Sequence, residues 1–223
     1  MAQNQVGSRL VFENAKAFVA SQGYDVSQAV LTQSFVRSEV AMSNTAATYQ
    51  LPIVTNSSLP TFNTARPVQL QDVHVVSELG IFVAAPSSST DTSYRLYTYP
   101  NQSVFTTSAA ALGTLYNGYF ALTVNNQAVV PALDIYRCYD VPQTQANTNF
   151  NVAAPTSPAV YSLDQNDGNS FGFTAIEPNI LLNGAANIQA QLVLPSAISS
   201  VVANSRIVVI FRTILCQNVT SVK

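Results

Sequence analysis

The chain has 223 residues, 48% of them hydrophobic, enough to bury the core of one large domain. Only 9% are charged, against about 25% in an ordinary soluble domain, and the formal net charge is -2. This balance excludes strong direct binding of nucleic acid through a basic arm, because Arg9, Lys16 and Arg37 are matched by Glu13, Asp25 and Glu39 in the first forty residues. It also offers no membrane span, since the longest purely aliphatic or aromatic run, residues 207–211, is only a strand's length.

The place of the missing charge is taken by Asn, Gln, Ser and Thr. Removing an amide or hydroxyl from water costs far less than removing an ion, so such a surface is cheap to bury against another molecule. Two readings compete: a hardy β-protein that avoids charge, and a subunit buried against copies of itself. The opening MAQNQVGSRLVF lacks the charged region, apolar core and small-residue cleavage site of a secretory signal, which points to synthesis in a cytoplasm.

In chain order, residues 8–23 read as a helix. Ser8 is its cap, Leu10, Val11, Ala15, Phe18 and Val19 share one face, and Gly23 is the left-handed stop. Asp25 or Ser27 is placed to cap a second helix from Ala29 to about Phe35, while residues 34–42 also suit a strand. With a polar break at 43–48, residues 1–48 are expected to form a helical arm and residues 49–223 the body. Strands are expected at 49–54, 68–76, 79–85 and 94–99, with a turn-rich passage at 55–67, a Ser/Thr loop at 86–93 and a short helix within 106–115.

Residues 119–130 carry the clearest local signal. Tyr119, Ala121 and Thr123 alternate with Phe120, Leu122 and Val124, and Asn125-Asn126 supplies a hairpin turn before the return strand at 127–130. Pro131 marks an edge or a strand end, and a further run continues over 132–139. A long irregular polar loop covers 141–157. The remaining strands are expected at 159–163, 170–175, 188–194 and 206–215, the last being apolar enough to be central. About ten short strands with few helices predict an all-β fold, a jelly-roll-like β-sandwich with an N-terminal helical arm.

Chemistry is sparse. His74 is the only histidine, on a strand between valines, and reads as a structural residue because neither a nucleophile elbow nor a catalytic cysteine context accompanies it. One histidine with the distant Cys138 and Cys216 gives no zinc spacing, and the two thiols read as buried and free. Asp134 and Asp140 are too far apart along the chain to act as paired carboxylates. The stretch 164–169, DQNDGN, superficially suggests a calcium loop, but its glycine falls one position early and Ala175 stands where the bidentate glutamate belongs. No catalytic residue, metal ligand or cofactor is assigned. Tyr94, Tyr97 and Tyr99 are the candidates for a ligand-stacking platform, with interface tyrosines or ordinary strand residues as the plainer readings. Leu10, Phe18, Pro142 and Phe150 are the candidates for inter-subunit contact.

Five stretches carry a resemblance: QDVHVVSELGIFVAAPSSSTDTSYRLYTYPNQSVF, LYNGYFALTVNNQAVVP, VPQTQ, IEPNILLNG and NSRIVVIFRTIL. In phrase order they resemble structural proteins of bacteriophage particles over most of residues 68–216. The resemblance implies a coat or capsid subunit that closes a shell through lateral contacts with copies of itself and with other virion proteins. It implies no catalytic or ligand residues. The chain departs from coat proteins that carry a basic arm. A phage spike, fibre or lectin-like glycan-binding module is the other reading, and a hydrolase built around His74 a third.

Overall fold

The computed structural model describes residues 2–55, 57–101, 104–105, 109–141 and 172–221. Helix α1, Ala2–Ser21, begins six residues before the expected Ser8 cap. It stops where expected: Gly23 has φ +85° and donates its N–H to the Ala20 carbonyl at 3.0 Å. Ala15 and Val19, one turn apart, are buried. They pack on Val73, Val75, Ile214 and Cys216.

Strand β1 is Tyr24–Asp25, and the next strand, β2, is Val30–Ala41. The helix expected at 29–35 is therefore replaced by strand. Asp25 Oδ1 accepts the Ser27 N–H at 2.9 Å, which turns the chain without capping a helix. From Val30 onward all twelve residues pair antiparallel with β9, Arg206–Gln217, and that ladder overrides a weak helical periodicity. Of the expected helical arm, residues 1–48, only Ala2–Ser21 is helix.

The other strands are β3, Thr48–Leu51; β4, Val73–Ala84; β5, Tyr119–Val124; β6, Gln127–Asp134; β7, Phe173–Asn183; β8, Ile188–Val193; and β10, Thr220–Ser221. β1 pairs with β10. The rest form two antiparallel four-stranded sheets, ordered β2-β9-β4-β7 and β3-β8-β5-β6. The fold is all-β. The two sheets share one core, to which the first contributes Val36, Leu79, Ile81 and Phe211 and the second Leu51, Phe120, Leu122 and Leu192. Phe120 and Phe211 meet edge to face across it, with centroids 5.8 Å apart.

Several expected boundaries move. The strands expected at 68–76 and 79–85 are one strand, β4, interrupted by a bulge: Val76 pairs with Thr213 and Glu78 with Arg212, so Ser77 has no partner. The extra residue reverses the alternation. His74 and Val76 face the core before it, Leu79, Ile81 and Val83 after it, which is why the stretch reads as two strands. Over 94–99 only Tyr97 pairs, in a single bridge to Val83. Pro131 lies on an edge, as expected, but β6 continues through it to Asp134. The short helix within 106–115 is present as α2, Ala109–Leu112, followed by a 3-10 turn, Gly113–Asn117. The hairpin forms as expected, with Asn125 and Asn126 at φ 50° and 64°. β9 is central. The polar loop at 141–157, the strand at 159–163 and the acidic turn at 164–169 fall, apart from Val141, outside the described residues.

Candidate functional site

His74 is buried between the sheets, with Nδ1 2.9 Å from Thr213 Oγ1 and Nε2 3.9 Å from Asp72 Oδ2. The order hydroxyl, imidazole, carboxylate superficially suits a nucleophile. However, Thr213 and His74 are 5% and 4% exposed inside the core, where a substrate carbonyl has no approach. Burial holds the imidazole below its ordinary value against the opposing pull of Asp72, so it is neutral at neutral pH. It is a histidine satisfied by its neighbour. Cys138 and Cys216 are free and buried, and burial pushes both thiols up to about 11. Among the described residues no three His, Cys, Asp or Glu side chains gather as a metal site would require.

The three candidate stacking tyrosines separate. Tyr94 turns to the outer face of the first sheet, where its hydroxyl donates to Glu39 Oε2 at 2.6 Å. Tyr97 and Tyr99 lie edge to face at 6.5 Å, and Tyr97 also packs on Phe105. Sequence reasoning missed a second pair. Tyr136 and Tyr139 stack with centroids 5.6 Å apart and rings only 10° from parallel, and Tyr116 meets Tyr139 edge-on at 5.0 Å. The cause is local. Residues Ile135–Cys138 form a 3-10 helix capped by the Asp134 side chain, and residues three apart eclipse in that helix. A strand over 132–139 would instead have sent the two rings to opposite faces.

Of the candidate contact residues, Leu10 is 61% exposed on α1, whereas Phe18 packs on its own sheet through the cluster around Val73 and Ile214. Pro142 and Phe150 lie outside the described residues.

The outer faces of the two sheets differ sharply. On the first, α1 covers one end, and the passages 55–67 and 86–97 cover the other. Both passages are tied to Glu39, which is fully buried. Its Oε1 accepts from Arg37 Nε at 2.8 Å and Thr64 Oγ1 at 2.5 Å, its Oε2 from Tyr94 and from Arg206 at 3.1 Å. Arg206 also donates to the Ser89 carbonyl at 2.6 Å and lies 3.9 Å over the Phe62 ring. Further along the same face Arg212 pairs with Glu78 at 2.7 Å.

The second sheet carries almost no charge. Its four strands, TYQL, IQAQLV, YFALTV and QAVVPALD, contain one side chain charged at neutral pH, Asp134, at the end of the edge strand β6. Tyr49, Leu51, Phe120, Leu122, Ala190 and Leu192 point into the core. The alternate residues point outward in register: Thr48, Val193 and Tyr119 in one row, Gln50, Gln191 and Ala121 in the next, Gln189 and Thr123 in the third. Gln50 Nε2 donates to Gln191 Oε1 at 3.1 Å. Among the described residues no hydrophobic cluster forms on this side of the sheet. A face of amides, hydroxyls and small side chains can exchange water for another protein surface without stranding an ion, which makes it the candidate functional site. Comparison with protein-family models, curated proteins and solved structures finds no match to the chain.

Proposed function

We propose that the chain is a structural subunit of a virus particle of the bacteriophage kind, made in the host cytoplasm and assembled with copies of itself and other virion proteins into a capsid shell. The observation that carries this reading is the pairing pattern. Counting β2 to β9 as eight strands, the first pairs with the last, the second with the seventh, the third with the sixth and the fourth with the fifth. That order supports reading the two sheets as one long antiparallel hairpin rolled up, a jelly roll, an architecture used by capsid and lectin domains. The uncharged outer face of the second sheet supports assembly, because neighbouring copies meet there without charge repulsion. Helix α1 supports it as well: twenty residues span about 30 Å, Ala15 and Val19 are buried in its C-terminal half, and Leu10 and Val11 face solvent.

Negative-stain microscopy and sedimentation velocity of the purified chain test the proposal. Closed particles, or oligomers growing with concentration, are expected, and deletion of residues 1–11 should lower their yield. A chain that stays monomeric at high concentration and across ionic strengths overturns it. A glycan-binding module is the second reading, favoured by the exposed Tyr136–Tyr139 stack, since flat apolar ring faces suit a sugar. A glycan-array signal abolished by Tyr136→Ala would move the assignment there.

A further inference from the structure

We infer that the outer face of the β3-β8-β5-β6 sheet is a two-fold interface on which a second copy of this chain docks with the same face. This rests on reading the chain as a self-assembling subunit, and it names the surface and the partner.

The argument begins with where charge is absent. The strands of the first sheet carry Arg37, Glu39, Glu78, Glu177, Arg206 and Arg212, whereas the second sheet has only Asp134. A shortage of charge across the whole chain would not by itself produce this segregation. The two ends of the outer face of the first sheet are occupied by α1 and by the two passages tied to Glu39, and the charged Arg212–Glu78 pair lies partly exposed between them, so the second sheet is the broad uncharged face left open among the described residues.

Its chemistry is its own complement. Gln50, Gln189 and Gln191 each carry a donor and an acceptor on one amide, so the same row opposed to itself can satisfy both. Tyr119 adds a large ring with a polar tip, 39% exposed, of the kind enriched at interfaces. In a two-fold contact identical patches meet, so any charge near the axis would face its own copy. Ala121 and Gln191, paired on the two central strands, mark the middle of the patch. Asp134 belongs to the edge strand and to the row of Tyr119. With strands about 4.8 Å apart and residues about 3.3 Å apart, it lies roughly 10 Å from an axis through the centre. The two copies of Asp134 would then be roughly 20 Å apart, beyond the ~8 Å Debye length at physiological salt. Among the described residues, the only charge on the face is where a two-fold contact tolerates it.

Size agrees with one contact among several. Four strands by about six residues give a patch of roughly 19 by 20 Å. Burying it on both copies removes on the order of 1,000 Å², the low end of specific interfaces. Such a contact pairs weakly alone and gains from the multivalency of an assembly.

The test is a charge swap at Gln191, outside the core, with the full chain followed by sedimentation velocity and by microscopy. Gln191→Lys and Gln191→Glu should each self-associate at least about tenfold more weakly than wild type, since like charges would face each other, and an equimolar mixture should recover the wild-type affinity. Thermal melts of both variants should match wild type, which separates a lost contact from a lost fold. Either variant pairing as tightly as wild type, or a mixture no better than its components, overturns the inference. Wild-type shells that form equally well from Gln191→Lys overturn this interface and leave the particle reading standing. Wild-type dimers that respond to the swap but never close into shells support the interface and remove the particle reading.

Discussion

Replacing Glu39 by alanine removes the one carboxylate on which two surface passages converge. The side chain is fully buried and accepts from Arg37, Thr64, Tyr94 and Arg206. Its loss leaves the Arg206 guanidinium, 2% exposed, with the Ser89 carbonyl, the Phe62 ring and only the longer-range attraction of Asp91 in place of its ion pair. Removing one member of a buried pair costs about 3–5 kcal/mol, because the survivor stays desolvated and uncompensated. Against a total stability of about 5–15 kcal/mol this is a large fraction. The urea midpoint of Glu39→Ala should therefore fall by about 1–1.7 M at a slope near 3 kcal/mol/M. The loss should also be local, with hydrogen exchange and limited proteolysis accelerating first in residues 57–67 and 86–97. A midpoint within about 0.3 M of wild type, or unchanged protection of both passages, would refute the reasoning.

The same residue makes an acid prediction. Burial alone would raise the Glu39 carboxyl. The hydroxyls of Thr64 and Tyr94, with Arg37 and Arg206, outweigh burial and hold the group below its ordinary 4.5. A depressed folded value means that the stabilisation is fully present above the unfolded value and is lost as pH falls through the folded one. Wild type should weaken below about pH 4.5, and Glu39→Gln, already weaker, should lose less over that interval.

Other substitutions probe the remaining elements. His74 has the opposite chemistry and the same sign: burial depresses its folded value below 6.5, so its contribution is complete above that and declines as pH falls. His74→Gln should flatten the change in urea midpoint between pH 7.5 and 5.5; an unchanged slope would place the titration elsewhere. Asn126→Ala should cost about 1 kcal/mol, because φ of 64° is unfavourable for a residue without a short polar side chain, whereas Asn126→Gly should be neutral or stabilising by chemical denaturation. Cys138 and Cys216, buried and with thiols near 11, should resist a thiol reagent at pH 8 in the native protein and react fully in urea. Stoichiometric labelling of the native chain would contradict their burial.

How much of this is legible from residues alone depends on the range of the cause. The hairpin, the Gly23 stop and the central place of β9 are legible because alternation, a left-handed turn residue and a long apolar run are local signals. β2 is not, since what makes Val30–Ala41 a strand is a partner more than 160 positions along the chain. Likewise the Ser77 bulge looks like a strand end until Arg212 and Thr213 are placed opposite it. The Tyr136–Tyr139 stack is hidden by a wrong period, three residues per turn read as two.

The candidate site divides in the same way. Tyr119, Ala121 and Thr123 stand out as an outward-facing polar set on the hairpin, and the scarcity of charge is plain from composition. Their union with Gln50, Gln189 and Gln191 exists only in the folded sheet, across strands distant in sequence.

By itself, the sequence determines which residues of a strand share a face, where the chain turns and how little charge it can place on any surface, because these follow from backbone geometry and side-chain chemistry over a few residues. Only the tertiary structure decides which faces meet. It brings Glu39 and Arg206 together under two surface passages, covers one end of one sheet with α1 and, among the described residues, leaves the outer face of the other open and nearly free of charge. Those outcomes depend on long-range pairing, whose free energy is shared among residues that no local pattern connects.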